Sequence, residues 1–141
     1  MKMLKRGLYA VTPLEPDTHV LCQKVEAALQ GGAVLLQYRA KGLDEVSCET
    51  QARELQSLCQ QYGVPFLLND NVALATRINA DGVHLGKDDM SLVEARALLG
   101  GDKLIGVSCY ASVDLATKAQ AQGADYVAFG AVFASATKPN A

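Results

Sequence analysis

The chain has 141 residues, of which 50% are hydrophobic and 20% are charged, and its formal net charge is −2. This balance excludes an intrinsically disordered chain, which would be poorer in apolar residues and more strongly charged. It also argues against a general nucleic-acid binder, which usually carries a basic excess. The longest nearly unbroken apolar run covers only residues 126–134, whereas a membrane helix needs about 20 residues. We therefore expect a globular protein that partners neither nucleic acid nor membrane.

Cysteine usage and the N-terminal residues predict where the protein works. Cys22, Cys48, Cys59 and Cys109 form no C-x-x-C pair, and the chain is long enough to fold around a core without disulfides. The basic residues near the start are not followed by a signal-peptide pattern with an A-x-A-like cleavage site. We expect free thiols, a cytoplasmic protein and one domain.

Short apolar runs alternate with amphipathic segments along the chain. The predicted strands are residues 7–12, 34–39, 66–69, 82–86, 104–108 and 126–133. Near-continuous apolar runs are typical of strands buried on both faces of a parallel sheet. The helix between the second and third strands ends at Gly63, and a later helix begins at Ser91, with Glu94 in capping-box spacing. Another helix is predicted over 112–123. This order predicts parallel βαβ units with right-handed crossovers.

A sequence echo supports a repeated unit. The segment ADGVHLG at 80–86 returns as ADYVAFG at 124–130. Two folds repeat a strand and a helix in this way, a (β/α) barrel and an open doubly wound sheet. The open sheet usually carries G-x-G-x-x-G after its first strand, and Thr12-Pro13 stands there instead. A full barrel has eight units in about 200–250 residues. Six strands therefore predict either a smaller open sheet or an incomplete barrel.

Polar residues follow each predicted strand, where both folds bind ligands. Gln37, Arg39 and Lys41 alternate with other residues, so strand geometry places them on one face. Two cations side by side repel each other unless an anion lies between them, and arginine binds phosphate oxygens well. This cluster predicts a phosphate site. The alternative is a solvated basic strand end.

Two carboxylates end neighbouring strands. Asp70 follows the third strand and Asp89 the fourth, and Mg²⁺ typically takes one or two carboxylates together with phosphate oxygens. The alternatives are simple pairing with the nearby cations, or Asp70 as the N-cap of a helix at 71–78. Asp88 competes with Asp89 for the metal role. After the sixth strand, Ser135, Thr137 and Lys138 offer two hydroxyls and a third cation, or form a polar loop.

Other reactive side chains have weaker support. His84 lies within an apolar strand and is expected to pack there, and His19 stands at a helix start without a partner in the sequence. Cys109 has no recognisable histidine pair to activate its thiol, so it is expected to be a small buried residue. No histidine and cysteine cluster indicates zinc.

Taken together, these segments resemble the thiamine-phosphate synthase family. The resemblance covers essentially the whole chain and rests on six segments in order, GLYAVT (7–12), QYRAK (37–41), LND (68–70), ADGVHLGKDD (80–89), IGVS (105–108) and SATK (135–138). One departure is Lys87, where the family usually has glutamine. The resemblance implies a TIM-type (β/α)8 barrel, truncated after about six strands, so that residues 1–141 form a single barrel domain incomplete at its C-terminus. The family's seventh and eighth strands, with their glycine-rich turns, have no counterpart.

The resemblance also implies a Mg²⁺-dependent transferase. It would condense 4-amino-2-methyl-5-pyrimidinylmethyl diphosphate with thiazole phosphate, giving thiamine phosphate and pyrophosphate. By this resemblance the metal ligands are Asp70 and Asp89, and no residue acts as a nucleophile. The substrate-binding residues are Gln37, Arg39, Lys41 and Asn69 for the diphosphate, Ser108 for the pyrimidine, and Ser135, Thr137 and Lys138 for the phosphates and the thiazole side.

Two other functions remain as alternatives. A related barrel that isomerises thiazole phosphate would need no diphosphate-bound metal, so the retention of Asp70 and Asp89 argues against it. A non-catalytic fragment that only binds phosphates would fit the absence of the last two strands. Six strands of an eight-stranded barrel leave two sheet edges open, which favours association. A homo-oligomer is therefore a further expectation to test.

Overall fold

The computed structural model describes residues 4–131, within which six strands alternate with five helices. The strands are β1 (Tyr9–Val11), β2 (Leu35–Tyr38), β3 (Phe66–Asn69), β4 (Gly82–Leu85), β5 (Leu104–Tyr110) and β6 (Tyr126–Phe129). The helices are α1 (Thr18–Gln30), α2 (Glu45–Tyr62), α3 (Val72–Ile78), α4 (Leu92–Leu99) and α5 (Val113–Ala121). No helix in this part of the chain is long and apolar enough to cross a membrane.

The strands form one parallel sheet in the order β1-β2-β3-β4-β5-β6. Each strand pairs with the next one in the sequence, which is the order of a (β/α) barrel. A doubly wound sheet would instead reverse its strand order at a switch point. The sheet therefore confirms the barrel-type fold for these six units and removes the open-sheet alternative.

The predicted strand limits hold best in the middle of the sheet. The third strand has the predicted bounds, and the fourth ends at Leu85, one residue earlier than predicted. The fifth runs two residues further, because an irregularity after Ser108 lets Tyr110 pair with Phe129. The first strand begins only at Tyr9, and the second is also shorter than predicted. The sixth strand ends at Phe129, earlier than predicted, and residues 132 and 133 of the prediction lie outside the described residues.

Apolar residues on the two faces of the sheet enter two separate clusters. The larger cluster lies between the sheet and the helices and includes Leu36, Phe66 and Ile105. The smaller cluster consists of Leu35, Leu67 and Leu104 on the opposite, inner face. Neighbouring residues of one strand face opposite sides of the sheet. Since both sides are buried in apolar clusters, successive residues of a strand are apolar. This explains the near-continuous apolar runs of the sequence.

The helix boundaries follow capping residues. Gly63 ends α2 in the left-handed conformation, and Ser91 caps α4 by accepting from the Glu94 amide, both as predicted. The alternative reading of Asp70 as a helix cap is wrong. The side chain of Asn71 caps α3 instead, because its Oδ1 accepts a hydrogen bond from the Leu74 N–H at 3.0 Å. The Asp70 carboxylate therefore has no capping role.

The echoed Ala-Asp segments share a structural role. Asp81 Oδ2 accepts from the Phe66 N–H at 2.7 Å, and Asp125 Oδ2 accepts from the Ile105 N–H at 2.8 Å. Each carboxylate thus holds the amino-terminal end of the preceding strand. Arg96 strengthens the second of these contacts, since it also bonds Asp125 at 2.8 Å and the Lys103 carbonyl at 2.6 Å. We call the two aspartates with their amide partners the strand-start clasps.

Loss of one buried hydrogen bond on the helix side of the sheet should be measurable. The Tyr38 hydroxyl donates to Gln51 Oε1 at 2.7 Å, and Gln51 Nε2 donates to the Glu15 carbonyl at 2.8 Å. Tyr38→Phe leaves the buried Gln51 oxygen without its donor, so we expect unfolding free energy to fall by about 1–2 kcal/mol. Urea unfolding followed by circular dichroism measures it. Tyr62→Phe, at an exposed hydroxyl, is the control, and equal effects from both variants would contradict the prediction.

Candidate functional site

The inner face of the sheet changes from apolar to polar along the strands. Leu35 and Leu67 belong to the inner leucine cluster, and two residues further along the same strands stand Gln37 and Asn69. Residues two apart in a strand face the same side. Polar side chains therefore lie above the leucines, at the carboxyl ends of the strands, where barrel proteins bind ligands.

Gln37 and Asn69 are directly bonded. Asn69 Nδ2 donates to Gln37 Oε1 at 2.8 Å, and Gln37 Nε2 donates to the Tyr9 hydroxyl at 2.9 Å. The Gln37 side chain is buried, with 4% of its surface exposed. Both amide groups are thus held in fixed orientations at neighbouring strand ends, as a binding site requires.

Asp70, Asp89 and Lys41 form an acid–base cluster beside this pair. Burial raises the pKa of the Asp70 carboxyl, the neighbouring Asp89 carboxylate raises it further, and Lys41 acts in the opposite direction. Asp70 also has φ of +67°, a left-handed conformation that costs energy for a residue with a side chain. Its N–H donates to the His84 carbonyl at 2.8 Å, which holds this turn against β4. The structure therefore brings two mutually repelling carboxylates together.

Two hydrogen bonds from backbone N–H groups to side chains fix the loop after β4. The Gly86 N–H donates to Asp89 Oδ2 at 2.6 Å, and the Lys87 N–H donates to the Tyr110 hydroxyl at 3.1 Å. The Lys87 ammonium also lies 5.5 Å from the centre of the Tyr110 ring. Asp89 is consequently fixed by its own loop, whereas Asp88 is exposed. This difference favours Asp89 over Asp88 as the partner of Asp70.

The end of β2 is fastened to the end of β1. Thr12, which is buried, accepts a hydrogen bond from the Arg39 N–H at 2.9 Å through Oγ1. The Thr12 N–H donates to the Gln37 carbonyl at 3.0 Å. These bonds fix the backbone from which the Arg39 side chain extends. Thr12 therefore positions a candidate phosphate ligand, a role that its place after the first strand only hinted at.

Surface depressions accompany these side chains. One of about 320 Å³ is lined by Lys41, Asn69 and Asp70, and another of about 250 Å³ by Asp89 and Ser108. A larger depression of about 630 Å³ lies at the opposite, amino-terminal edge of the sheet. We assign the site to the carboxyl edge despite the smaller volumes, because the candidate polar groups converge there.

His84 packs within the sheet as predicted, and it also bonds two polar partners. It is 8% exposed, its Nε2 lies 2.7 Å from Ser108 Oγ, and its Nδ1 lies 2.8 Å from the Tyr126 hydroxyl. Sequence patterns missed Tyr126 and Tyr9 as site residues, because neither follows a strand.

Two other reactive side chains have no place in the site. His19 is exposed near the start of α1. Burial raises the pKa of the Cys109 thiol, which disfavours the nucleophilic thiolate.

The donor set suits a magnesium ion bound together with a phosphate. Residues 4–131 contain no cluster of three or more histidine, cysteine, aspartate or glutamate side chains. Mg²⁺ usually needs only one or two carboxylates, since waters and phosphate oxygens complete its shell. A cation between Asp70 and Asp89 would also relieve their mutual repulsion. Ser135, Thr137 and Lys138 lie outside the described residues.

Comparisons with known proteins give a consistent result. A family described as thiamine monophosphate synthase matches residues 8–141. The thiamine-phosphate synthase of Thioalkalivibrio sulfidiphilus is 57% identical over 137 residues, which cover 96% of this chain and 65% of that protein. The thiamine-phosphate synthase of Thiobacillus denitrificans is 52% identical over 141 residues, covering 100% of this chain and 67% of that protein.

A solved structure shows the same fold. A thiamine phosphate pyrophosphorylase from Pyrococcus furiosus superimposes with a TM-score of 0.79 at 34% sequence identity, covering 89% of this chain and 60% of that one. The chain spans about two thirds of the length of the two curated relatives named above.

Proposed function

The chain belongs to the thiamine monophosphate synthase family, and from this premise we propose that it acts in joining a pyrimidinylmethyl diphosphate to a thiazole phosphate. The products would be thiamine phosphate and pyrophosphate, in thiamine biosynthesis. The observation that carries the proposal is the acid–base cluster of Asp70, Asp89 and Lys41 at the carboxyl edge of the sheet. Carboxylates and a cation in one place suit a diphosphate that arrives with a divalent metal ion.

We propose that Asp70 and Asp89 hold Mg²⁺. Asp89 is preorganised by the Gly86 N–H, and the raised pKa of Asp70 reflects burial and a like charge that a cation would compensate. An ion held by these two carboxylates would supply Lewis-acid stabilisation of the negative charge on the departing diphosphate. The two carboxylates stand at fixed loop positions, so the chain sets where that charge is neutralised.

The remaining side chains bind and orient the substrate. Lys41 and Arg39 would contact diphosphate oxygens, and the Gln37–Asn69 pair would orient the same substrate through amide groups already fixed in place. Ser108 would line the pyrimidine, while Ser135, Thr137 and Lys138 are proposed for the phosphates and the thiazole side. Departure of pyrophosphate leaves a stabilised pyrimidinylmethyl cation, which the thiazole nitrogen captures. Positioning and charge stabilisation suffice for this step, without a protein nucleophile.

The setting of the reaction is also a proposal. Cys22, Cys48, Cys59 and Cys109 are all free thiols, which fits a reducing compartment such as the cytoplasm. One continuous six-stranded sheet supports the proposal that residues 1–141 belong to a single barrel domain.

The reaction itself is tested by incubating the protein with both substrates. We expect pyrophosphate release that requires both substrates and Mg²⁺. Lys41→Met is expected to weaken binding of the pyrimidinylmethyl diphosphate about 10-fold, or about 1.4 kcal/mol, because it removes a positive charge beside the phosphates. Calorimetric titration measures this change. Lys24→Met, which removes an exposed lysine paired with Glu15, is the matched control. Turnover that persists after chelation of Mg²⁺, or isomerisation of thiazole phosphate alone, would contradict the proposal.

A further inference from the structure

A continuous chain of hydrogen bonds crosses the inner face of the sheet. One side chain from each strand takes part, in the order Asn69, Gln37, Tyr9, Tyr126, His84 and Ser108. Its first half joins Asn69 to Gln37 and Gln37 to Tyr9, as described above. The Tyr9 hydroxyl then lies 2.5 Å from the Tyr126 hydroxyl, and the two rings meet edge to face with centroids 5.5 Å apart. The two edge strands of the described sheet are thereby connected through side chains.

The second half depends on a missing side chain. Tyr126 lies beside Gly106 in the β5–β6 register, and Gly106 lies beside His84 in the β4–β5 register. A Cβ atom on Gly106 would come within 1.8 Å of the Tyr126 ring. Glycine therefore leaves the space through which the Tyr126 ring passes over β5. The ring stacks on the His84 imidazole at a centroid separation of 5.7 Å. The strand register and the glycine at position 106 therefore set the position of the Tyr126 ring beside His84.

The chain has a direction that follows from counting hydrogens. The Tyr9 oxygen accepts from Gln37 Nε2, so its single hydrogen is available for the Tyr126 oxygen. Tyr126 then has its own hydrogen for His84 Nδ1. The imidazole proton must accordingly reside on Nε2, from which it is donated to Ser108 Oγ. In the reverse direction, His84 would donate to Tyr126 and Tyr126 would donate to Tyr9. Because Gln37 Nε2 already donates to the Tyr9 oxygen, the Tyr9 hydrogen would then have no acceptor among residues 4–131.

We propose that Tyr9 and Tyr126 are positioning residues that hold His84 as its Nε2–H tautomer, so that Ser108 keeps its hydroxyl hydrogen for an acceptor atom on the bound substrate. The identity of that substrate rests on the proposed function, whereas the tautomer does not. A serine hydroxyl fixed as a donor selects a hydrogen-bond acceptor, and on the heterocyclic substrate of the proposed function that acceptor is a ring nitrogen. An Asn69-to-Ser108 chain of fixed direction thus couples both ends of the site.

The acid strength of the two phenols supports this assignment. Burial raises the pKa of Tyr9, and burial together with the neighbouring Tyr9 raises the pKa of Tyr126. Both phenols therefore stay protonated at neutral pH, and each keeps the one hydrogen that the chain requires. A phenolate at either position would break the sequence of donors and acceptors.

Nitrogen NMR of the whole protein labelled with ¹⁵N-histidine tests the tautomer directly. The sequence contains only two histidines, and His19→Gln identifies the signals of the exposed one. At neutral pH and without ligand, we expect Nδ1 of His84 to resonate as an unprotonated nitrogen and Nε2 as a protonated one. A proton on Nδ1, or protons on both nitrogens, would overturn the proposal.

Tyr126→Phe and Tyr9→Phe separate positioning from packing, since phenylalanine keeps the ring and removes only the hydroxyl. We expect the two His84 nitrogen signals to move towards each other as the second tautomer becomes populated, more in Tyr126→Phe than in Tyr9→Phe. Tyr62→Phe, on an exposed helix surface, is the matched control and should leave both signals unchanged. If Tyr126→Phe also leaves them unchanged, the tyrosines do not set the tautomer and the proposal fails.

Kinetics then link the tautomer to ligand binding. We expect Tyr126→Phe to raise KM for the pyrimidinylmethyl diphosphate about 10-fold with a smaller change in kcat, as for lost ground-state binding. An unchanged KM with a shifted tautomer would refute the role of Ser108 in substrate recognition. A protein that shows the expected NMR signals but no turnover would instead contradict the proposed function and leave the tautomer assignment standing.

Discussion

Gly82→Ala is expected to lower the free energy of unfolding by about 3 kcal/mol or more, since overpacking of a tight core displaces backbone. A Cβ atom at this position would lie 1.9 Å from the Leu104 carbonyl oxygen and 2.7 Å from Leu67 Cδ2. Gly82 pairs with both residues in the middle of the sheet, so β3, β4 and β5 would have to separate. Urea unfolding monitored by circular dichroism measures the loss.

Gly101→Ala is the matched control for this substitution. A Cβ atom at Gly101 meets no other atom within 4 Å, and the residue is exposed. We expect its effect to stay within about 0.5 kcal/mol, as for other surface substitutions. If Gly82→Ala were no more destabilising than Gly101→Ala, the close approach of β4 to β5 would not exist in solution.

Asp70→Asn and Asp89→Asn are each expected to weaken Mg²⁺-dependent binding of inorganic pyrophosphate about 100-fold, which corresponds to about 2.7 kcal/mol. Each substitution replaces a negatively charged Mg²⁺ ligand with a neutral amide, which attracts the cation less. Without Mg²⁺, Asp70→Asn should leave the protein as stable as before or more stable. The reason is that it removes a partly buried charge facing Asp89. Calorimetric titration and thermal unfolding, each with and without Mg²⁺, measure the two effects.

The neighbouring aspartate provides the control for the metal site. Asp88 is exposed and stands next to Asp89 in the same loop. Asp88→Asn changes the net charge by the same amount, so any effect of overall charge appears in it too. We expect its affinity for pyrophosphate to match that of the unaltered protein. Equal losses in Asp88→Asn and Asp89→Asn would show that general electrostatics, and no specific metal site, supports binding.

Sequence patterns predicted the order of the elements because burial and capping leave local signals. A parallel strand that is buried on both faces has a continuous apolar run, as Phe66, Leu67 and Leu68 of β3 show. The proximity of Asp70 and Asp89 was predictable for a related reason. Their strands follow one another in the sequence, and parallel neighbours end at the same edge of a sheet. Their roles as metal ligands stay predictions.

Other features depend on contacts between distant parts of the chain and leave no local signal. Tyr126 and His84 are 42 residues apart, and their contact requires a gap at Gly106 on the strand between them. No periodicity reports such a gap. The extension of β5 to Tyr110 likewise depends on an irregular pairing with β6. Asn71 rather than Asp70 caps α3 because Asp70 adopts a positive φ, which sequence spacing does not reveal.

The strand-start clasps imply that thermal stability and substrate specificity can be changed separately in this fold. Asp81, Asp125 and Arg96 act at the amino-terminal edge of the sheet, whereas every proposed ligand within residues 4–131 lies at or near the carboxyl edge. Natural variation or engineering at the clasps should therefore alter heat tolerance while substrate preference stays constant. Changes at the opposite edge can redirect specificity without loosening the scaffold. Stability and specificity can therefore evolve independently, because they depend on opposite edges of the same sheet.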